Sequence, residues 1–168
     1  MGSMTAEGLI LRWSEVCRDH TLLDLPYKIE LNAWGKIEMS PANNRHARLK
    51  FRVGAELASH LPAGDVLTEA AVLTDLGVRV PDVVWCSADF LHRNREQTPF
   101  REAPEICVEI VSPANTEAEL QAKTQAFLAA GAKEVWWVDE ECLVRYCDAA
   151  GEQLKSELCP PLVLPPPL

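Results

Sequence analysis

Several familiar signatures are missing from this chain. No apolar run approaches the roughly 20 residues that a membrane-crossing helix needs, and the N-terminus shows no signal-peptide pattern. We therefore expect a protein that works away from membranes. Its six cysteines (Cys17, Cys86, Cys107, Cys142, Cys147, Cys159) include no C-x-x-C pair, which argues against a thiolate zinc site. Cys86 and Cys107 fall inside apolar runs, where a free thiol behaves as a small apolar group, so a cytoplasmic location is expected. Positive charge is also scarce: 16 Lys and Arg face 25 Asp and Glu, for a net charge of −9. Nucleic-acid binders draw affinity from neutralising phosphates, so this balance argues against a simple basic-surface DNA binder. A nucleic-acid role would have to rest on a local basic patch, a divalent metal or a partner. An enzyme whose carboxylates hold a metal remains compatible.

What is present suits one globular domain. The 168 residues are 48% hydrophobic and 24% charged. Met1-Gly2-Ser3 ahead of Met4 reads as a vector-derived scar, leaving residues 4–168 as the domain. A helical pattern over Thr5–His20 places Leu9, Trp13, Val16 and Cys17 on one side. Alternation at Tyr27–Leu31 and again at Ile37–Met39, around Trp34-Gly35, predicts a hairpin. Beyond Asn43-Asn44, the positions His46, Leu49, Val53, Leu57 and Leu61 share one helical face. Short strands follow near Val66–Glu69 and Ala71–Leu73, then a strand containing Asp82, then a short helix and loop over Asp89–Thr98. Glu105–Val111 reads as a strand covered on both faces. Asn115 is expected to cap the next helix and Gly131 to stop it. Glu134–Val138 and Cys142–Cys147 are further strands, with Trp136-Trp137 in core and sheet surface. The tail Cys159–Leu168, with five prolines, can be neither helix nor central strand. The strand–helix–strand unit from Glu105 to Val138 predicts an α/β (α+β) sandwich, a mixed β-sheet flanked by helices.

Three charges stand in apolar company: Asp82 in Val80–Cys86, Glu109 in Ile106–Val111, and Lys123 on the helical face of Leu120 and Phe127. An unpaired buried ion costs several kcal/mol, so these groups should meet one another, a metal, or both. Each also has a plainer reading. Pro81-Asp82 could be a turn whose aspartate bonds backbone amides, Glu109 could pair with a cation, and Lys123 could snorkel to water. Together they suit a magnesium site, because Mg²⁺ takes one or two carboxylates plus water and substrate phosphate. Asp82 and Glu109 would hold Mg²⁺ (or Mn²⁺). Lys123 would orient a water or stabilise developing negative charge.

Pro81-Asp82 followed by Glu109 on a buried strand resembles the PD-(D/E)XK nuclease superfamily, with its restriction-endonuclease-like fold. The wider frame is similar to the bacterial Uma-type restriction endonucleases. It includes Tyr27 to Glu30-Leu31 with Gly35, Met39-Ser40-Pro41 followed by His46, and Val80 to Val84. It continues through Val108 to Pro113, Lys123, and Gly131 to Asp139, so that the resemblance covers about residues 14 to 165. Two positions depart from the superfamily pattern. Val111 stands where the motif lysine would be, and the resemblance moves that role to Lys123. Phe127 stands where such proteins commonly carry tyrosine. The resemblance also implies a place near the site for His46, as a phosphate contact or proton carrier, and for Glu30, as a third carboxylate. Their plainer readings are a histidine capping local backbone and a solvated strand glutamate.

The expected function is thus metal-dependent hydrolysis of DNA phosphodiester bonds, with a homodimer the natural arrangement for cutting both strands. One competing reading is a catalytically inactive nuclease-fold protein that serves as a binding or assembly module. Another is a purely structural ion cluster of Asp82, Glu109 and Lys123.

Overall fold

A computed structural model describes residues 2–167; Met1 of the expected scar and Leu168 of the proline-rich tail lie outside them. In chain order the elements are α1 (Ala6–Arg18), β1 (Tyr27–Asn32), β2 (Ile37–Pro41), α2 (Asn44–His60), β3 (Gly64–Thr68), β4 (Val72–Thr74) and β5 (Gly77–Arg79). These are followed by β6 (Val83–Ser87), α3 (Ala88–Asn94), β7 (Ile106–Ile110), α4 (Glu117–Ala129), β8 (Glu134–Val138), β9 (Val144–Asp148) and β10 (Gly151–Gln153). The mixed α+β class is as expected. The strands form two sheets where one was anticipated: a four-stranded sheet in the order β2-β1-β5-β4 and a six-stranded sheet in the order β10-β9-β8-β7-β6-β3.

The division begins at Glu69, whose positive φ of 56° turns the chain between β3 and β4 and sends these neighbours into different sheets. Such a backbone reversal leaves no periodicity for a sequence pattern to register. The expected hairpin of β1 and β2 forms, with Ile29 opposite Met39 and Gly35 at φ 73° in the turn, where a left-handed backbone favours glycine. In the large sheet β7 pairs parallel to β8, and α4 makes the crossover that a parallel pair requires. The short strand β10, which no alternation announced, pairs with β9.

Alternation along β6, β7 and β8 splits the large sheet's side chains between two apolar layers. Val84, Cys107, Val135 and Trp137 join Phe90 of α3 and Phe127 of α4. Val83, Ile106, Val108, Trp136 and Val138 pack with Leu49, Val53 and Leu57 of α2 and with Cys159 of the tail. A third cluster joins Leu9, Trp13 and Val16 of α1 to Leu31 and Val78 of the small sheet. Cys17, expected on that face, is exposed. All six cysteines are free, and no helix of the described residues is long and apolar enough to cross a membrane.

The cap of α4 differs from expectation. Asn115 spends its side-chain oxygen on the Ser112 amide and hydroxyl, which leaves Thr116 to form a capping box with Glu119. The C-terminal end is as anticipated. Gly131 has φ 115°, and the Ala132 amide donates to Phe127 O while the Gly131 amide donates to Leu128 O, a Schellman closure.

Candidate active site

Between β5 and β6 the chain leaves the small sheet and enters the large one, and Val80-Pro81-Asp82 is the crossing. Asp82 is therefore placed at the junction, fully buried. Its backbone joins both sides: its amide donates to Val108 O, and its carbonyl accepts from the Glu69 amide. Oδ2 accepts from the Ile110 amide at 2.8 Å. Oδ1 meets Lys28 Nζ at 3.0 Å and His46 Nε2 at 2.9 Å, with Lys50 Nζ at 4.0 Å.

Each partner arrives by the periodicity of its own element. In β1, Ile29 and Leu31 face the α1 core, so Lys28 and Glu30 point the opposite way, toward Asp82. Glu30 is buried, which overturns the solvated-glutamate reading. Its carboxylate accepts from the Val80 amide at 2.8 Å, lies 3.1 Å from Lys123 Nζ and 3.5 Å from Arg79. Glu109, on the α4 side of β7, touches Lys28 and Lys123, each at 3.4 Å. Lys123 thus spans Glu30 and Glu109 from α4 instead of snorkelling away. His46 sits in the first turn of α2, where Asn43 caps the helix by accepting from the His46 amide. The ring is free to reach Asp82, and it does not cap local backbone. Phe127 is fully buried in the apolar layer. The five residues singled out in the sequence therefore converge.

Three cations that the sequence did not single out complete the cluster. Lys28 bridges Asp82 and Glu109. Arg79 links Glu30 to Glu38, and Lys50 links Glu69 to the edge of Asp82. The only local sign of Lys28 was that it shares a strand face with Glu30.

The carboxylates are not electrostatically equivalent. Burial works to raise the Asp82 pKa, but the His46 hydrogen bond, the Lys28 charge and the Ile110 amide outweigh it. Asp82 is held well below the ordinary carboxylate range. Glu30 also faces a burial penalty, outweighed by Lys123, Lys28 and the Val80 amide, and is lowered. Glu109 is raised: burial dominates, the two lysines offset it only in part, and the charges of Asp82 and Glu30 add to it. Burial would lower Lys28, but Glu109, Asp82 and Glu30 raise it and keep it a cation.

These opposite shifts have opposite consequences for stability. Asp82 and Glu30 contribute above their ordinary pKa values of 3.8 and 4.5 and lose that contribution on acidification below them. Glu109 binds its proton more readily in the folded chain, so it costs stability as pH rises from 4.5 toward its raised value. Denaturant melts of wild type and Glu109→Gln should accordingly show wild type losing ground relative to the variant across that interval. The opposite slope would mean that the lysines overcome burial.

Two carboxylates converging on a single cation suit an oxygen-seeking ion. Lys28 Nζ marks the point that Asp82 Oδ1 and Glu109 Oε2 share. Among the described residues, no three His, Cys, Asp or Glu side chains are gathered as a complete metal cage. An ion held by this pair would take its remaining oxygens from water and ligand, as Mg²⁺ commonly does.

Comparison with known proteins agrees with the architecture. No curated protein matches the chain. Among solved structures it is similar to a protein of Anabaena variabilis described as "a putative nuclease belonging to DUF820", with a TM-score of 0.59, 20% identity, and 68% of each chain covered. At that identity the likeness establishes the fold. The model of the Uma2 family, described as "Putative restriction endonuclease", matches residues 19–165. A match over that much of the chain, which includes all five converging residues, makes this protein a member of the Uma2 family.

Proposed function

We propose that this protein is a metal-dependent endonuclease that hydrolyses DNA phosphodiester bonds at the Asp82–Glu109 cluster, with residues 4–168 acting as one nuclease domain of PD-(D/E)XK type. The observation that carries this reading is the convergence of the two buried carboxylates on one cation position, beside a lysine and a histidine, in a nuclease-family chain. Asp82 and Glu109 would hold Mg²⁺ or Mn²⁺. When bound, the ion would stabilise charge on the scissile phosphate and lower the pKa of an attacking water.

The chain's own groups divide the remaining work. The Ile110 amide and His46 fix the rotamer of Asp82 and keep it ionised. Glu30, anchored by the Val80 amide, holds the Lys123 ammonium at the face of Glu109. From there Lys123 can orient a water or receive the charge that develops on phosphate. His46, held against Asp82 through Nε2, would contact phosphate or carry a proton. One such cluster per chain cuts one strand at a time, so cleavage of both strands would use a homodimer.

Lys123 provides a clean test because its side chain reaches the cluster from the α4 surface and is 21% exposed. Lys123→Ala should keep the circular dichroism spectrum and melting profile of a folded chain. Magnesium-dependent cleavage of a labelled DNA duplex should fall by about 10²-fold or more, as when a preorganised charge-stabilising donor is removed. Unchanged cleavage would remove Lys123 from the mechanism. A wild-type chain that binds duplex DNA but leaves it intact with every divalent ion tried would favour the binding-module reading.

A further inference from the structure

The cation in the centre of the cluster is part of the chain itself. Lys28 Nζ lies 3.0 Å from Asp82 and 3.4 Å from Glu109, so it engages the same oxygens that the proposed ion would take. Among the described residues these are its only ion pairs. Asp82 keeps the Ile110 amide and His46 without Lys28, and Glu109 keeps Lys123. The lysine side chain is 13% exposed. It also lines a cleft of about 200 Å³ with Trp13, Tyr27, Ile29, Glu69 and Val80. Its four-carbon stem therefore has somewhere to go, along a wall that includes Glu69, whose carboxylate Lys50 already holds at 2.7 Å.

We propose that Lys28 is a displaceable internal counterion. In the metal-free chain it neutralises the Asp82–Glu109 pair and keeps the site assembled. On entry of a divalent ion at the pair, the Lys28 ammonium would swing into the adjoining cleft. This inference rests on the metal-site reading above. It follows from simple competition: a monovalent ammonium and a divalent ion contend for the same two oxygens, and a cation a few ångströms away opposes a second one. A flexible lysine suits such exchange better than arginine, whose planar fork would lock onto the carboxylates.

The test is calorimetric titration of Mn²⁺ into the full-length wild type, Lys28→Met and Lys28→Arg at pH 8. Removing the competitor should tighten binding in Lys28→Met by about tenfold, a change of about 1.4 kcal/mol, while Lys28→Arg should bind no tighter than wild type. A lysine that merely supports the structure would give weaker or equal binding in Lys28→Met, and that result overturns the proposal while leaving the metal site standing. Absence of binding in the wild type and both variants overturns the metal site and the proposal together. Should Lys28→Met fail to fold, the lysine ammonium signals of ¹⁵N-labelled wild type, with Lys28 assigned through Lys28→Arg, give the same answer. The Lys28 signal should shift in a saturable way with Mg²⁺, and an unmoved signal at saturation would overturn the displacement.

Discussion

Asp82→Asn is expected to abolish detectable binding of Mg²⁺ or Mn²⁺ in calorimetry and to lower DNA cleavage by about a thousandfold or more. The substitution preserves shape but replaces a carboxylate oxygen with an amide. Of the two carboxylates proposed to hold the ion, Asp82 is the one that its surroundings force into its charged form, through His46, Lys28 and the Ile110 amide. It is also fully buried, so no solvent can replace the lost charge. An ion held by the pair would lose half of its protein charge, and several kcal/mol of transition-state stabilisation corresponds to about 10³ in rate. The variant should also be less stable than wild type, because Lys28 is left with Glu109 alone, and uncompensated buried charge is costly. Binding that survives in Asp82→Asn would place the ion elsewhere.

Glu134→Ala is expected to destabilise the fold by about 3–5 kcal/mol with no direct effect on the cluster's chemistry. This glutamate opens β8 and is buried, yet among the described residues no cation hydrogen-bonds to it. Instead it gathers four donors: Trp136 Nε1 at 2.7 Å, the Ser156 hydroxyl at 2.6 Å, and the amides of Glu157 and Leu158. Ser156 Oγ in turn accepts from the amides of Leu158 and Cys159. The carboxylate is thus the anchor that turns the tail back so that Cys159, Leu158, Leu162 and Leu164 join α2 in the apolar layer over one face of the large sheet. Truncation leaves these donors buried without an acceptor, at about 1–3 kcal/mol for each that finds no water. Chemical denaturation measures the loss. Leu154→Ser, at a fully exposed position nearby, should stay within about 0.5 kcal/mol of wild type. An equal loss in both variants would mean that the tail, and not Glu134, is at fault.

Legibility in the sequence tracked how local each cause was. Asp82 and Glu109 stood out because a charge inside an apolar run is visible along the chain and must be accounted for. Helical spacing from Leu120 and Phe127 points to Lys123, and two buried apolar runs on either side of a helix mark the parallel unit of β7, α4 and β8. Lys28 was missed for the same reason that Glu30 was ambiguous. On β1 their face looks polar, and only the approach of the other sheet buries it. That approach depends on the split at Glu69 and on the crossing at Val80-Pro81-Asp82, neither of which has a periodic signature. The cap of α4 turned on a contest between Asn115 and Thr116 that the Ser112 hydroxyl decides. Glu134 read as an ordinary strand residue because its partners at Ser156–Leu158 are 22–24 positions away.

Crystals soaked with Mn²⁺ would reveal whether Asp82 and Glu109 together hold a divalent ion. An anomalous-scattering peak is expected between the two carboxylates, with Lys28 moved from its bridging position. A map with no peak there, and with Lys28 still joining Asp82 to Glu109, would contradict the metal site and favour the purely structural ion cluster.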